Sequence, residues 1–180
     1  MSSFKNRIIR AAKLDVHLYE EVEADRGATM QALGVVVLSG IAVGIGSITR
    51  VGIPGILVGT VMAITVWFIW SYLIYLIGTK LLPEPQTKAN YGELLRTIGF
   101  ANSPGLIRIF GIIPGLAVVA FLVAMFWYLI ATVFAVRQAL DYKSTIRAIA
   151  VCVIGWIIQI LLMRLIFSFL GSPSNLPEGF

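Results

Sequence analysis

The sequence has little charge. Only 13% of its 180 residues are Asp, Glu, Lys or Arg, against about a quarter in an ordinary soluble domain. It has one cysteine, Cys152, and one histidine, His17. A lone cysteine excludes an intramolecular disulfide framework, and His17 has no suitably spaced His or Cys with which to hold a metal. The sequence also lacks a nucleophile elbow, an HExxH pair, a CxxC and a phosphate-cradling glycine loop. Gly44-Ile45-Gly46 lies inside an apolar run, where no nucleotide phosphate belongs. No acidic residue falls near the middle of an apolar block, which argues against proton- or cation-coupled transport. The chain therefore reads as non-enzymatic, with no cofactor.

What is abundant is apolar sequence. Hydrophobic residues make up 58% of the chain and the mean hydropathy is +0.91, in blocks as long as a bilayer is thick. This excludes a soluble domain, a disordered chain and a single anchor carrying a soluble head. A spanning helix takes about 20 residues. The expected fold class is all-α: a polytopic membrane helical bundle with five transmembrane helices and an N-terminal amphipathic cytoplasmic helix. The expected organisation is an arm over 1–27, spans over 28–49, 53–78, 91–111, 113–136 and 148–170, and a flexible tail over 171–180. Pro54 suits the first turn of the second span, and no removable signal peptide is visible in the arm.

The segment 91–111 carries Glu93, Arg96 and Arg108, and loop charge arbitrates whether it crosses. Cytoplasmic loops are enriched in Lys and Arg. With five spans and the N-terminus inside, ten cations lie inside: Lys5, Arg7, Arg10, Lys13, Arg26, Lys80, Lys88, Arg137, Lys143 and Arg147. Arg50 and Arg108 lie outside, while Arg96 and Arg164 sit within spans near their ends. Four spans give nine against four, a poorer split. The net charge of +5 thus follows topology and does not imply nucleic acid. A weak repeat agrees, with Ile53-Pro54-Gly55 and Trp67 recurring 60 residues later as Ile113-Pro114-Gly115 and Trp127.

In the arm, Phe4, Ile8, Ala11 and Ala12 recur at helical spacing beside Lys5, Arg7, Arg10 and Lys13, the pattern of a helix lying in a membrane interface. An acidic stretch follows, and Glu20, Glu21, Glu23 and Asp25 are the candidate partner-binding residues. Glu93 and Arg96 share a helical face near the inner end of the third span, where they are expected to reach headgroups or pair. Gly40 and Gly44, and Gly55 and Gly59, form small-residue ridges suited to close helix packing. The aromatics Trp67, Trp70, Tyr72, Tyr75, Trp127 and Tyr128 read as bundle core.

The stretch Tyr91-Gly92-Glu93-Leu94-Leu95-Arg96-Thr97-Ile98-Gly99-Phe100-Ala101-Asn102-Ser103-Pro104 resembles the segment that opens the third span in the YIP family of five-span membrane proteins. Leu18–Asp25 and Ala135–Leu140 are similar to its bacterial branch, and the resemblance covers about residues 5–170. It implies the five-span fold and marks Tyr91, Gly92, Glu93, Arg96, Gly99, Phe100 and Pro104 as structural motif positions. Eukaryotic members act in vesicle traffic through Rab-type GTPases, a role the bacterial branch does not inherit.

The expected function is a non-enzymatic scaffold or accessory subunit of a larger assembly in a bacterial cytoplasmic membrane. Its N-terminus would lie inside and its C-terminus outside. Its partners would be the lipid bilayer and a membrane protein or a second copy. The alternative is a small transporter or channel between two helical-hairpin repeats.

Overall fold

The computed structural model describes residues 3–170; the tail expected over 171–180 lies outside them. Two short helices, α1 (Phe4–Ala12) and α2 (Val16–Ala24), precede the apolar blocks. Ser3 caps α1 by accepting from the Asn6 amide, and Asp15 caps α2 by accepting from His17. Both side chains occupy amides that a helix start leaves without partners. Leu14 takes a positive φ of 61° in the turn between them.

The first long helix, α3 (Ala28–Gly46), ends at Ser47, whose hydroxyl donates to Val43 O. The next, α4 (Ile48–Leu76), is interrupted at Gly52, whose φ of 65° and ψ of −176° leave the helical region. A residue with a side chain is strained there. The continuous part of α4 therefore starts at Ile53-Pro54, with the proline where its missing amide costs nothing. A π-helical turn, Ile77–Leu81, ends it.

The third apolar block departs from the expected span. It is an 11-residue helix, α5 (Tyr91–Ala101), followed by a 10-residue 3₁₀ segment, Ser103–Ile112. The side chains of Asn102 and Ser103 bind back to Ile98 O and Phe100 O, and Pro104 has no amide to continue the ladder. Apolarity made the block look continuous, but these three residues break it. Two further long helices follow, α6 (Ala117–Ala139) and α7 (Thr145–Leu170). Among the described residues, four helices are long and apolar enough to cross a membrane, not five.

The broken segment nevertheless accompanies α3 from end to end. Gly99 lies against Ala32, Gly105 against Ser39, and Gly111 against Gly46, a near-constant offset that makes the two run parallel. It packs chiefly between α3 and α6, and its residues from Leu94 to Ala101 are buried. A polar or irregular backbone survives at membrane depth only when protein covers it. The hairpin repeat is inexact. Pro54 starts a helix, whereas Ile113-Pro114-Gly115 is a turn before α6 in which Gly115 takes a φ of 84°.

At one end of the bundle lie α2, the C-terminal ends of α4 and α6, and the starts of α5 and α7. Tyr142 donates to Gly78 O and Leu82 O, and Gln138 donates to Glu20. The α3–α4 and 3₁₀–α6 turns meet at the other end around a cavity of about 540 Å³ lined by Ser47, Arg50, Gly111 and Phe121.

Candidate functional site

The two arm helices fold against the bundle. Arg7 is 2% exposed; its guanidinium pairs with Glu21 at 2.8 Å and Asp25 at 2.9 Å and donates to Gln31 of α3. Arg10 pairs with Asp15 at 2.7 Å and Glu21 at 2.6 Å. The hydrogen bond from Arg10 holds Asp15 below the ordinary carboxylate range, and that from Arg7 does the same to Asp25. The Trp127 indole donates to Ala12 O, and the buried Tyr19 hydroxyl to Ala11 O. Arg7 and Arg10 of α1 therefore face the acidic side chains around α2, while Lys5 is exposed.

Of the four candidate partner-binding acids, Glu21 and Asp25 engage this ion-pair cluster. Glu20 is exposed and accepts from Gln138. Glu23 is different: half-buried, its carboxylate has no hydrogen bond or ion pair among the described residues. Burial, reinforced by the carboxylates of Asp141, Glu93 and Glu20 and opposed by Arg96, pushes it up to about 7.

Glu23 lines a cleft of about 510 Å³ with Ala24, Arg26, Thr29, Asn90, Glu93 and Arg96. The start of α5 builds one wall of it. Asn90 accepts from the Glu93 amide, and the Glu93 carboxylate accepts from the Asn90 amide at 2.8 Å, a reciprocal cap that satisfies two of the helix's free donors. Arg96, 6% exposed, reaches the other way and donates to Val22 O at 2.9 Å and to Glu23 O. These are last-turn carbonyls of α2, which lack partners within their own helix. Glu93 and Arg96 share a face, as their spacing requires, but each serves a different neighbour and no ion pair joins them among the described residues. Arg26, exposed at the rim, makes no side-chain hydrogen bond or ion pair among the described residues.

The other motif positions act through packing. The Tyr91 hydroxyl donates to Phe68 O, and its ring lies edge-on to Tyr72. Gly92 sits beside Arg96 and Asn90. Phe100 and Pro104 are buried. A Cβ on Gly99 would lie 2.6 Å from the Ala32 Cβ, closer than side-chain carbons approach.

A Yip1 domain model matches residues 21–166, from the second half of α2 into α7. The chain belongs to the Yip1-domain family. No curated protein and no solved structure matches it. The matched region begins at Glu21, whose carboxylate receives Arg7 and Arg10, so it holds Glu21 and Asp25 of the ion-pair cluster while Asp15 and α1 lie ahead of it. The two ends of the Arg96 contact, Val22–Glu23 and Arg96, both fall within the domain. Sequence reasoning singled out Arg96 and missed its task, because nothing local says that its acceptors lie 74 and 73 residues away. Among the described residues no cluster of His, Cys, Asp and Glu could hold a metal ion.

The small-residue ridges divide between inside and outside. Gly40 faces Thr60 and Ala63, and Gly44 faces Ile56, so this ridge seats α3 on α4. Gly55 is covered by Val51 of its own helix, and Gly59 has no described atom within 4 Å of where a Cβ would lie. The helix that carries them is buried over only 6% of its most apolar stretch, against 44% for α3.

Proposed function

We propose that this Yip1-domain protein is a non-catalytic membrane scaffold that crosses the bilayer five times and receives another membrane helix on the outer face of α4. The observation that carries the reading is the open helix surface at Gly59, where no described atom lies within 4 Å of a Cβ position. Without a hydrophobic drive between helices in lipid, close backbone approach at small residues is what favours association. Leu57, Val58 and Met62, exposed by 71%, 62% and 50%, flank Gly59. The course of the broken third segment beside α3 and the bias of cations to one side support five crossings with the N-terminus inside. That polarity, and the likeness of its short motifs to the bacterial branch, fit a bacterial cytoplasmic membrane. The acidic arm is a second docking element. Glu20 is its accessible member, because α1 already occupies Glu21 and Asp25. A pore between hairpins is not favoured, since the third segment fills the space between α3 and α6.

A photo-crosslinking residue at Val58, activated in native membranes, tests the reading. A discrete protein adduct, either a partner or a second copy, is expected, and Gly59→Leu should abolish it. If lipid adducts alone form, the α4 reading is wrong. Glu20→Lys separates the arm from the fold better than reversal of Glu21, which would also break the Arg7 cluster. Undiminished partner recovery in Glu20→Lys would remove the arm from the interface.

A further inference from the structure

The cleft between the α2–α3 corner and the start of α5 holds opposite charges that do not satisfy one another. Among the described residues, Glu23 presents a half-buried carboxylate with no hydrogen-bond donor, and Arg26 presents a guanidinium with no acceptor. No ion pair within 4.0 Å joins them, although both line the same space of about 510 Å³. Partly desolvated charge without a partner is costly, and here that cost falls on Glu23, while the exposed Arg26 stands at the rim of the same cavity. The cleft lies at the mouth of the bundle, where α3 begins at Ala28 and Met30, two residues on, is 73% exposed. On the reading proposed above, in which α3 is the first membrane pass, this places the cleft at headgroup depth.

We propose that this cleft binds the headgroup of an aminophospholipid, with the phosphate on Arg26 and the primary ammonium on the carboxylates of Glu23 and Glu93. A phosphoethanolamine group has the required polarity, one anion and one cation a few bonds apart. Three features select it over other headgroups. A phosphatidylglycerol headgroup supplies no cation for Glu23. A choline headgroup has no N–H to donate, and quaternary ammonium recognition uses aromatic faces, none of which lines this cleft. Free phosphate would leave the Glu23 carboxylate unmatched. Thr29, whose hydroxyl is committed to Arg26 O at 3.2 Å, fixes the backbone from which Arg26 projects. This site is separate from the α4 face and stands whether or not that face binds a helix.

The carboxylate must be ionised to hold an ammonium. Burial, together with Asp141, Glu93 and Glu20 around Glu23, opposes ionisation and Arg96 favours it, which pushes Glu23 up to about 7. Affinity for the headgroup therefore rises between pH 6 and pH 8, and Glu23→Gln removes that rise.

The test is native mass spectrometry of the full chain, purified in detergent and stripped of lipid, then offered dioleoyl phosphatidylethanolamine, its mono- and dimethyl derivatives, phosphatidylcholine or phosphatidylglycerol at equal concentration. Retention is expected to fall with each N-methyl added, by about tenfold across the series, as expected for losing a charged hydrogen bond. Glu23→Gln should erase the preference, whereas Arg26→Gln, which removes the partner of the phosphate that all these lipids share, should weaken retention of each of them. Arg26 is exposed and its side chain bonds to nothing among the described residues, so its substitution leaves the bundle intact, and an unchanged melting temperature verifies that. Equal retention of ethanolamine and choline lipids would overturn the proposal, as would a preference that survives Glu23→Gln or retention that Arg26→Gln leaves unchanged. A melting-temperature rise with soluble phosphoethanolamine as large as that with the lipid would overturn the assignment to a lipid.

Discussion

Arg96 shows how much one side chain contributes to this fold. It joins two elements, α2 and α5, far apart in sequence, by donating to carbonyls that α2 cannot satisfy itself. Hydrogen bonds from a charged group are each worth about 1.5–3 kcal/mol, and a buried acceptor left bare adds its own penalty. Arg96→Ala should therefore destabilise the purified chain by about 3 kcal/mol in a denaturant or SDS titration. Lys, a point donor without the planar fork, should recover less than half of that loss. A loss below about 0.5 kcal/mol, the range of an inert surface change, would show that the contact does not matter. The position was visible in sequence as an arginine in an apolar block, and its expense in lipid marked it for attention. Its partners were not visible, because they are main-chain atoms with no sequence identity. The ion pairs of Arg7 were hidden for a related reason. Lys5, Arg7, Arg10 and Lys13 at helical spacing look the same whether they face headgroups or a second helix. Only the fold brings Arg7 to Glu21 and Asp25, fourteen and eighteen residues on.

At the level of elements, the two glycine ridges and the broken segment carry opposite predictions. Gly99 sits where α5 touches α3, and a methyl there meets the Ala32 Cβ, which cannot swing aside. Overpacking of this kind costs about 1–3 kcal/mol, so Gly99→Ala should lower the melting temperature. Gly59 lies on an open helix face, and Gly59→Ala should leave the isolated chain unchanged or stabilise it by up to about 1 kcal/mol, the helix-propensity difference. Measured side by side in detergent, equal effects at the two sites would refute the seam. Helix existence was legible because apolar blocks bounded by Gly, Pro and charge are a strong signal. The break in the third block was less so. Asn102, Ser103 and Pro104 announced a turn, but the apolar residues on both sides are equally consistent with a kinked helix.

For the whole molecule, the question is how many times the chain crosses. Four continuous helices meet the length requirement, and the remaining segment runs the length of α3 as two shorter pieces. Rises of about 1.5 Å per α-helical residue and about 2.0 Å per 3₁₀ residue give it a reach comparable to the 30 Å hydrocarbon core. Single cysteines introduced into a Cys152→Ser background decide the matter. With five crossings, a cysteine at Gly115 reacts with an impermeant maleimide added outside intact cells, while one at Lys143 reacts only after lysis. Four crossings reverse both results.

The course of the third segment also bears on the order in which the protein is built. Its α5–3₁₀ break leaves main-chain groups that hydrocarbon cannot satisfy, and they are covered by α3 on one side and α6 on the other. When the segment leaves the ribosome, α3 has been made and α6 has not. A chain that crosses five times would then hold its third pass at the membrane surface, half-walled, until residues near 139 have emerged. Insertion would proceed out of sequence order, the third pass entering together with the fourth, and a chain truncated after Ile112 should fail to insert this segment stably.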